Sequence, residues 1–291
     1  GSGGLLLKFA KILGKENVRE GFFGQEINLT TYNLARINMF LHNINYNNFS
    51  IERGDTLIHP AHWNDEPFDA IVSNPPYSIK WAGKENPLLI NDERFSPAGV
   101  LAPSSKADLA FTMHMLSWLS PKGTAAIVEF PGVLYRGGAE QKIRQYMIDN
   151  NFVDTVIQLP SDLFFGTSIA TCILVLKKNK TDNNILFLDA SDECVRNTNK
   201  NKLSDDNIDN IVNLLKNRVT VECKAYLATY EEVKDNDYNI SINSYIRNNT
   251  SSEVINIVEV NKKLAEIVPR QQQLRAELEE IIKELEVDYH E

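Results

Sequence analysis

The chain has 291 residues, of which 43% are hydrophobic and 24% are charged. These proportions are close to those of ordinary globular proteins, so they exclude a disordered, collagen-like or purely coiled-coil chain. The longest apolar run covers residues 169–176 and is far shorter than the roughly 20 residues that cross a bilayer, so we expect no membrane span. Residues 1–13 lack the pattern of a signal peptide, and we therefore predict a cytoplasmic protein.

The chain is acidic, since 30 basic and 39 acidic residues give a formal net charge of −9 at pH 7. A surface for nucleic acid is therefore not expected over the whole chain, and phosphates would have to meet one basic patch or a partner chain. The three cysteines, Cys172, Cys194 and Cys223, are far apart in the sequence. Their spacing indicates neither a disulfide framework nor a cysteine zinc site.

Helical and strand-like patterns alternate up to about residue 190, which predicts an α/β domain with a largely parallel sheet. We predict helices at residues 5–13, 29–44, 107–119 and 139–150. We predict strands at residues 22–27, 49–53, 68–73, 124–130, 153–159, 169–176 and 185–188. The polar turn at 177–184 favours a hairpin between the last two strands. Residues 78–106 contain many prolines and glycines without a period, which is typical of a lid, a binding loop or a disordered segment.

The composition changes after Ala190 to Asn, Asp, Lys and Ser, and we place a domain boundary there. The pattern predicts a main domain at 1–190, a mixed connecting region at 191–251 and a C-terminal helix at 252–291. The spacing of Thr250 and Glu253 is that of a capping box at the start of this last helix.

The C-terminal helix carries an apolar stripe at heptad a and d positions, formed by Leu274, Leu278, Ile281 and Leu285. We expect Pro269 to kink or divide the helix. The stripe must pack either on the same chain or on another one. Few other apolar positions are present here, which favours another chain.

The tetrapeptide Asn74-Pro75-Pro76-Tyr77 directly follows the predicted strand at 68–73. Ligands of open α/β sheets bind beyond the carboxyl ends of the strands. The two prolines fix the backbone and leave carbonyl groups free to accept hydrogen bonds. The Asn carboxamide oxygen and a proline carbonyl can then accept both hydrogens of a planar amino group, while the tyrosine ring offers a flat face. The alternative is a proline turn that ends a strand.

A glycine turn, Gly1-Ser2-Gly3-Gly4, precedes the first predicted helix and suits a carboxylate or phosphate at the helix N-terminus. The same Gly-Ser pair also fits residues left by a cloning vector. Two acids stand at the ends of the next two strands: Glu26 is suited to ribose hydroxyl groups and Asp55 to an adenine amino group. Each acid alone also fits a solvated loop carboxylate or a helix cap. The order of these features with Asn74 favours a nucleoside cofactor.

These motifs together resemble the modification (methyltransferase) subunits of type I restriction-modification systems, which are adenine-N6 DNA methyltransferases. The resemblance covers most of the chain, at residues 1–6, 24–26, 32–39, 74–77, 105–111, 135–140, 159–167, 171–174 and 237–240. It implies a Rossmann-like S-adenosylmethionine-dependent methyltransferase sheet with a helical C-terminal extension. It also implies S-adenosylmethionine as the cofactor, in contact with Gly1, Ser2, Gly3, Glu26, Ile27, Asp55 and Asn74.

The resemblance further implies that Asn74, Pro75 and Tyr77 hold a target adenine that has been flipped out of the DNA duplex. Either Phe164 or Phe165 would stack on the other face of that base, although an ordinary core phenylalanine is an equal alternative for each. Methyl transfer would need no metal and would depend on positioning and on acceptance of the amino hydrogens. A DNA-specificity subunit on the C-terminal helix and a restriction (nuclease) subunit are the implied partners.

The chain departs from the family pattern at its start. Family members carry an Asp-Pro-x-Cys segment at the end of the first strand and a helical domain before it, and this sequence begins after both. We therefore expect that this sequence lacks the first strand of the sheet. We also expect the chain alone to bind S-adenosylmethionine weakly or not at all.

Other functions stay open on the residues alone. An Asn-Pro-Pro-Tyr site also serves enzymes that methylate a protein glutamine or an RNA amino group, and a truncated remnant could act only as a scaffold. His59 and His62 form no complete metal-ligand set, so we interpret them as part of a polar loop. Arg136 before a predicted helix fits either a DNA phosphate contact or a surface arginine at a turn.

Overall fold

The computed structural model describes residues 1–18, 20–63, 66–164, 168–247 and 257–287. The chain divides into two compact units, Gly1–Arg247 and Asn248–Glu291. Within the described ranges, no helix has the length and apolar character required to cross a membrane.

The helices are α1 (Gly4–Leu13), α2 (Leu29–Leu41), α3 (Asp108–Trp118), α4 (Ala139–Asp149), α5 (Asp205–Asn217), α6 (Tyr230–Asp235) and α7 (Ile257–Val287). The strands are β1 (Phe22–Glu26), β2 (Phe49–Arg53), β3 (Phe68–Ser73), β4 (Leu119–Glu129), β5 (Val153–Gln158), β6 (Cys172–Lys177), β7 (Ile185–Asp189), β8 (Val195–Asn197), β9 (Lys200–Lys202) and β10 (Ala225–Ala228). The predicted elements are therefore present. The largest difference is an earlier start for β4, followed by a later start for β6 and an earlier end for α2.

The main sheet has six strands in the order β10-β7-β5-β6-β4-β3. Strand β3 pairs with β4 and β5 with β7 in parallel, whereas the other three pairs are antiparallel. The sheet is thus mixed, and the expectation of a largely parallel sheet was wrong. The predicted hairpin was also wrong, because β5 lies between β6 and β7 and bonds to both. The polar turn at 177–184 marks a change of direction but does not determine which strands pair.

Strands β1 and β2 form a separate parallel pair in which Glu26 lies opposite Arg53. Helix α2 covers this pair and is capped by Asn28, whose side chain accepts a hydrogen bond from the Thr31 N–H. The small core beneath it consists of Phe22, Ala35, Met39, Ile44, Phe49 and Ile51. This two-stranded pair carries two of the predicted strand-end acids.

Residues 191–247 belong to the same compact unit as the main sheet. Strand β10 extends the sheet beside β7, and the Tyr245 ring stacks on the Phe187 ring with centroids 3.9 Å apart. The structure therefore shows no unit boundary at Ala190, in contrast to the boundary we placed there. A change to polar composition marked the surface of this segment but not its contribution to the sheet and core.

The segment 78–106 is ordered rather than an open lid. It contains three short 3-10 helices, and its side chains Leu89, Phe95 and Leu101 are buried in the main core. These apolar residues follow no helical or strand period, so the sequence pattern could not distinguish this packed segment from a loop.

In the second unit, α7 runs without interruption through Pro269, so the proline does not divide the helix. Leu274 and Leu278 of the predicted stripe are each more than half exposed. The predicted capping box at Thr250 and Glu253 lies outside the described residues.

Candidate functional site

The glycine turn stands at the N-terminus of α1. Gly3 adopts a left-handed backbone with φ of 81°, a conformation that glycine reaches without a steric penalty. Within the part of the chain that the structure describes, no side chain caps α1, so the N–H groups of its first turn face outward without an intrahelical partner. The Asn38 side-chain amide of α2 donates to the Ser2 carbonyl oxygen at 2.9 Å and fixes the turn.

Glu26 ends β1, and its carboxylate accepts from the Asn28 N–H at 2.8 Å and from the Gly1 amino group. Partial burial raises the pKa of this carboxyl. These hydrogen bonds lower the pKa by a larger amount, so the net pKa lies below its ordinary value. Glu26 is thus an ionised acceptor for donor groups. The neighbouring Ile27 side chain is 63% exposed, so an apolar face is available beside it.

Asp55 lies next to Glu26, because the Gly54 N–H donates to the Glu26 carbonyl oxygen at 3.1 Å. The Asp55 Oδ1 atom accepts from the Leu57 N–H at 2.9 Å, which fixes the carboxylate within its own turn. The structure therefore brings the two predicted acids together at the carboxyl ends of β1 and β2.

Asn74 follows β3 and is exposed, while Pro75 behind it is buried. The Tyr77 hydroxyl donates to the Asn74 Oδ1 atom at 2.8 Å. A carboxamide oxygen accepts two hydrogen bonds, so one position on Oδ1 stays free for an incoming amino group. The tyrosine thus orients the asparagine, a role that the sequence pattern did not predict.

The turn after Tyr77 is held from α3. Ser78 has a positive φ of 50°, and its N–H donates to the Asp108 Oδ1 atom at 2.8 Å. The Ala107 N–H donates to the Ile79 carbonyl oxygen at 2.9 Å. Asp108 therefore stabilises an unfavourable backbone conformation directly beside the site. The string around Asp108 was part of the resemblance, but no role for the residue followed from it.

A buried acid, Glu129, ends β4 near the same turn. The Thr112 hydroxyl donates to its Oε1 atom at 2.7 Å, and Oε2 has no hydrogen-bond partner among the described residues. Burial raises the pKa of Glu129 to about 8. Burial also raises the pKa of Tyr77 to about 12, and at the high pH where the tyrosine titrates the carboxylates of Glu129 and Asp108 act in the same direction. The tyrosine hydroxyl therefore keeps its proton and continues to donate to Asn74.

The Asp55 turn is braced by residues that sequence reasoning missed. The Arg94 guanidinium, from the 78–106 segment, donates to the carbonyl oxygens of Thr56 and Leu57 at 2.8 and 2.7 Å. His114 of α3 lies 3.0 Å from the Thr56 hydroxyl. No spacing or motif in the sequence distinguishes Arg94 from a surface arginine.

The two strand groups meet at an aromatic cluster. The Phe23 ring of β1 lies 5.2 Å from the Phe68 ring of β3, centroid to centroid. His62 packs beside both rings, is only 4% exposed and contacts the Gly24 carbonyl oxygen through Nε2 at 3.0 Å. The interpretation of His62 as part of a polar loop was therefore wrong, because its ring is needed for packing between the strands.

The structure shows no metal-binding group of three or more His, Cys, Asp or Glu residues within the described ranges.

The Arg136 guanidinium stacks over the Phe130 ring at 5.2 Å and lies 3.5 Å from the Glu140 carboxylate. Arg136 is thus held within its own turn, which favours the structural alternative over a phosphate contact.

The predicted stacking residues have different positions. Phe164 is half-buried and packs against a core cluster that includes Ile157 and Leu159, which favours the core alternative for this residue. Phe165 lies outside the described residues, so its stacking role stays a prediction.

Two surface clefts of about 320 and 230 Å³ lie beside α4 and below α2, and no predicted site residue lines either of them.

The known proteins that are similar to this chain include methylase subunits of type I restriction enzymes. The methylase subunit of the type I restriction enzyme MpnII from Mycoplasma pneumoniae is 47% identical over 99% of this chain and 55% of its own length. The crystal structure of a type I restriction-modification methyltransferase subunit from Streptococcus thermophilus matches with a TM-score of 0.80 and 43% identity, over 84% of this chain and 52% of that chain. The chain therefore spans about half the length of these relatives.

A third match is a Listeria monocytogenes structure assigned to the class I S-adenosylmethionine-dependent methyltransferases. Its TM-score is 0.55 at 19% identity, over 75% of this chain and 61% of that chain, and the likeness concerns the fold alone. The fold is therefore the α/β fold of class I methyltransferases. The family model for N-6 DNA methylases matches residues 1–254, and the chain belongs to that family. This confirms the resemblance that the sequence motifs indicated.

Proposed function

We propose that the chain methylates the N6 amino group of adenine in DNA, as the modification subunit of a type I restriction-modification complex. The observation that carries the proposal is the Asn74 carboxamide, which is exposed at the end of β3 and oriented by the Tyr77 hydroxyl. An oriented oxygen with a free acceptor position suits a planar amino group. Membership in the N-6 DNA methylase family supports the same reaction.

The residues on β1 and β2 fit S-adenosylmethionine as the cofactor. The uncapped N-terminus of α1 suits the carboxylate of its methionine part, and the ionised Glu26 suits donation from two ribose hydroxyl groups. Asp55 suits its adenine amino group, and the exposed Ile27 suits its adenine face. When bound, this cofactor supplies an electrophilic methyl group on a sulfonium.

The protein's own contribution is orientation. Hydrogen bonds from the target amino group to Asn74 Oδ1 and to the Pro75 carbonyl would draw the nitrogen lone pair out of conjugation with the base. The Tyr77 hydroxyl keeps the carboxamide in place throughout, because its raised pKa retains the proton. The base must leave the duplex to reach these groups, and Tyr77 with Phe165 would cover its faces.

The acidic chain favours partners that supply DNA affinity. We assign sequence recognition to a separate DNA-specificity subunit that docks on the stripe of α7 at the exposed Leu274 and Leu278. A restriction subunit would be a further member of the complex, and the cytoplasm its location. Replacing Leu274 and Leu278 by Asp should abolish co-purification with the specificity subunit. Replacing the neighbouring Gln272 by Asp is the matched control, and equal recovery of all variants would reject docking on this stripe.

The central experiment measures transfer of a radiolabelled methyl group by the complete complex to DNA, RNA and protein. We expect label in DNA adenine, and a loss of about 100-fold or more in rate for Asn74→Ala, since an oriented acceptor acts mainly in the transition state. Asn91→Ala, at an exposed asparagine of the 78–106 segment, should keep the wild-type rate. Label in RNA or in a protein glutamine, or full activity of Asn74→Ala, would contradict the proposal.

A further inference from the structure

Arg94 is a charged side chain that is only 2% exposed, in a segment that the sequence pattern left without a role. A buried cation is costly unless its donors are satisfied. Its Nε and Nη2 atoms donate to the Asp92 carboxylate at 2.9 and 2.8 Å, and Nη1 and Nη2 also donate to the carbonyl oxygens of Thr56 and Leu57. The fork of the guanidinium therefore joins the 78–106 segment to the turn that carries Asp55.

Arg94 also determines how His114 is protonated. Its Nη1 atom lies 3.1 Å from His114 Nδ1, and because a guanidinium can only donate, Nδ1 must accept. The hydrogen of the neutral ring is then on Nε2, which donates to the Thr56 hydroxyl at 3.0 Å. Burial and the Arg94 charge lower the pKa of His114 to about 3, so the ring keeps this form at neutral pH.

Arg94 and His114 thus hold the turn after Asp55 at three atoms, which are the two carbonyl oxygens of Thr56 and Leu57 and the Thr56 hydroxyl oxygen. Leu57 in turn donates its N–H to the Asp55 carboxylate, so the direction of that carboxylate depends on the braced turn. Helix α3 contributes His114 to this brace, and at its first residue Asp108 it holds the Ser78 N–H beside Tyr77. One rigid helix therefore supports both the Asp55 turn and the turn after Asn74.

We propose that Arg94, with His114, is a positioning residue that directs the Asp55 carboxylate at the adenine amino group of the cofactor. The same contacts fix the position of the Asp55 carboxylate relative to the Asn74 turn. This inference rests on the proposed function. A purely structural role would alter stability alone, because disrupting one partner of a buried ion pair is destabilising and this loss acts equally on every ligand. Positioning of Asp55 must instead alter how well the protein distinguishes an amino group from a carbonyl group.

The test compares the dissociation constants of S-adenosylmethionine and of an analogue with hypoxanthine in place of adenine, for the full-length protein in its native complex. The wild type should prefer the adenine form. Arg94→Lys keeps the charge but loses the fork, and it should reduce this preference about tenfold, as expected for a hydrogen bond to a charged group. His114→Gln keeps a donor to Thr56 and should retain most of the preference, whereas His114→Leu should lose it.

Arg144→Lys is the matched control. Arg144 is 1% exposed and likewise donates to main-chain carbonyl oxygens, those of Val133, Arg136 and Tyr238, but it has no contact with the Asp55 turn. Its variant should lower the melting temperature as Arg94→Lys does and leave the preference intact. An unchanged preference in Arg94→Lys, with a loss in Asp55→Asn, overturns the positioning role and leaves the proposed function standing. An unchanged preference in Asp55→Asn overturns the assignment of Asp55 itself.

Discussion

The two strand groups of the first unit are built in different ways. Strands β5 and β7 of the six-stranded sheet are buried along almost their whole length, whereas α1 beside the β1–β2 pair buries no residue. The β1–β2 pair has only a small apolar core, and side-chain hydrogen bonds add to its support, such as those of Gln25 to the main chain at residues 59 and 61. Apolar burial thus supports the turn with Asn74, and polar bracing supports the acids Glu26 and Asp55.

This difference predicts where mutations act. Losses of apolar volume in the six-stranded sheet should unfold the unit, while polar substitutions around β1 and β2 should alter ligand binding first. The hydrophobic effect scales with buried area, so it stabilises the sheet without regard to the direction of any one side chain. Hydrogen bonds depend on the angle between donor and acceptor, so they fix the orientation of the side chains that a polar cofactor contacts.

The largest expected effect is that of Phe187→Ala. Phe187 is fully buried and stacks on Tyr245, so the substitution should lower the free energy of unfolding by about 3–5 kcal/mol. Ile37→Ala on α2 is the control, because this side chain is 52% exposed and its loss should change stability by less than about 0.5 kcal/mol. Urea unfolding measures both, and equal losses would show that the two regions do not differ as described.

A smaller effect concerns Glu129 and pH. Its folded-state pKa of about 8 lies above the ordinary value of 4.5, so the unfolded chain loses this proton first as the pH rises. Stability should therefore fall between about pH 4.5 and pH 8, by an amount on the order of 2–4 kcal/mol. Glu129→Gln should flatten this part of the curve of urea midpoint against pH. Exposed Glu231→Gln should keep the wild-type slope, and an unchanged slope in Glu129→Gln would mean that Glu129 is ionised in the folded protein.

The sequence predicted most elements because buried strands and amphipathic helices have different periods. The order of the strands was harder to predict. The turn at 177–184 indicated that β6 and β7 are adjacent, yet β5 lies between them. Pairing partners that lie far apart in the chain leave no local signal. The start of β4 was missed because Pro121 and Gly123 are unusual in strands, although Leu119 pairs with Phe68.

Of the site, the positions of the acids and of Asn74 at strand ends were predictable, because Glu26 ends β1, Asp55 lies just after β2 and Asn74 directly follows β3. The bond from the Tyr77 hydroxyl to Asn74 and the brace from Arg94 were not. Both depend on how a side chain is oriented by neighbours that are distant in sequence, and no spacing reports that orientation. The resemblance named the segment around Asp108 but gave no reason for it, which the bond to the Ser78 N–H now supplies.

The position of β6 between β4 and β5 has a consequence for synthesis on the ribosome. Strands β4 and β5 emerge first, but they share no hydrogen bonds, and they can join only after residues 172–177 have been made. Until then, both strands present unpaired edges that favour aggregation. A nascent chain that stalls before residue 172 therefore exposes these strand edges, and chaperones are expected to bind it at that stage.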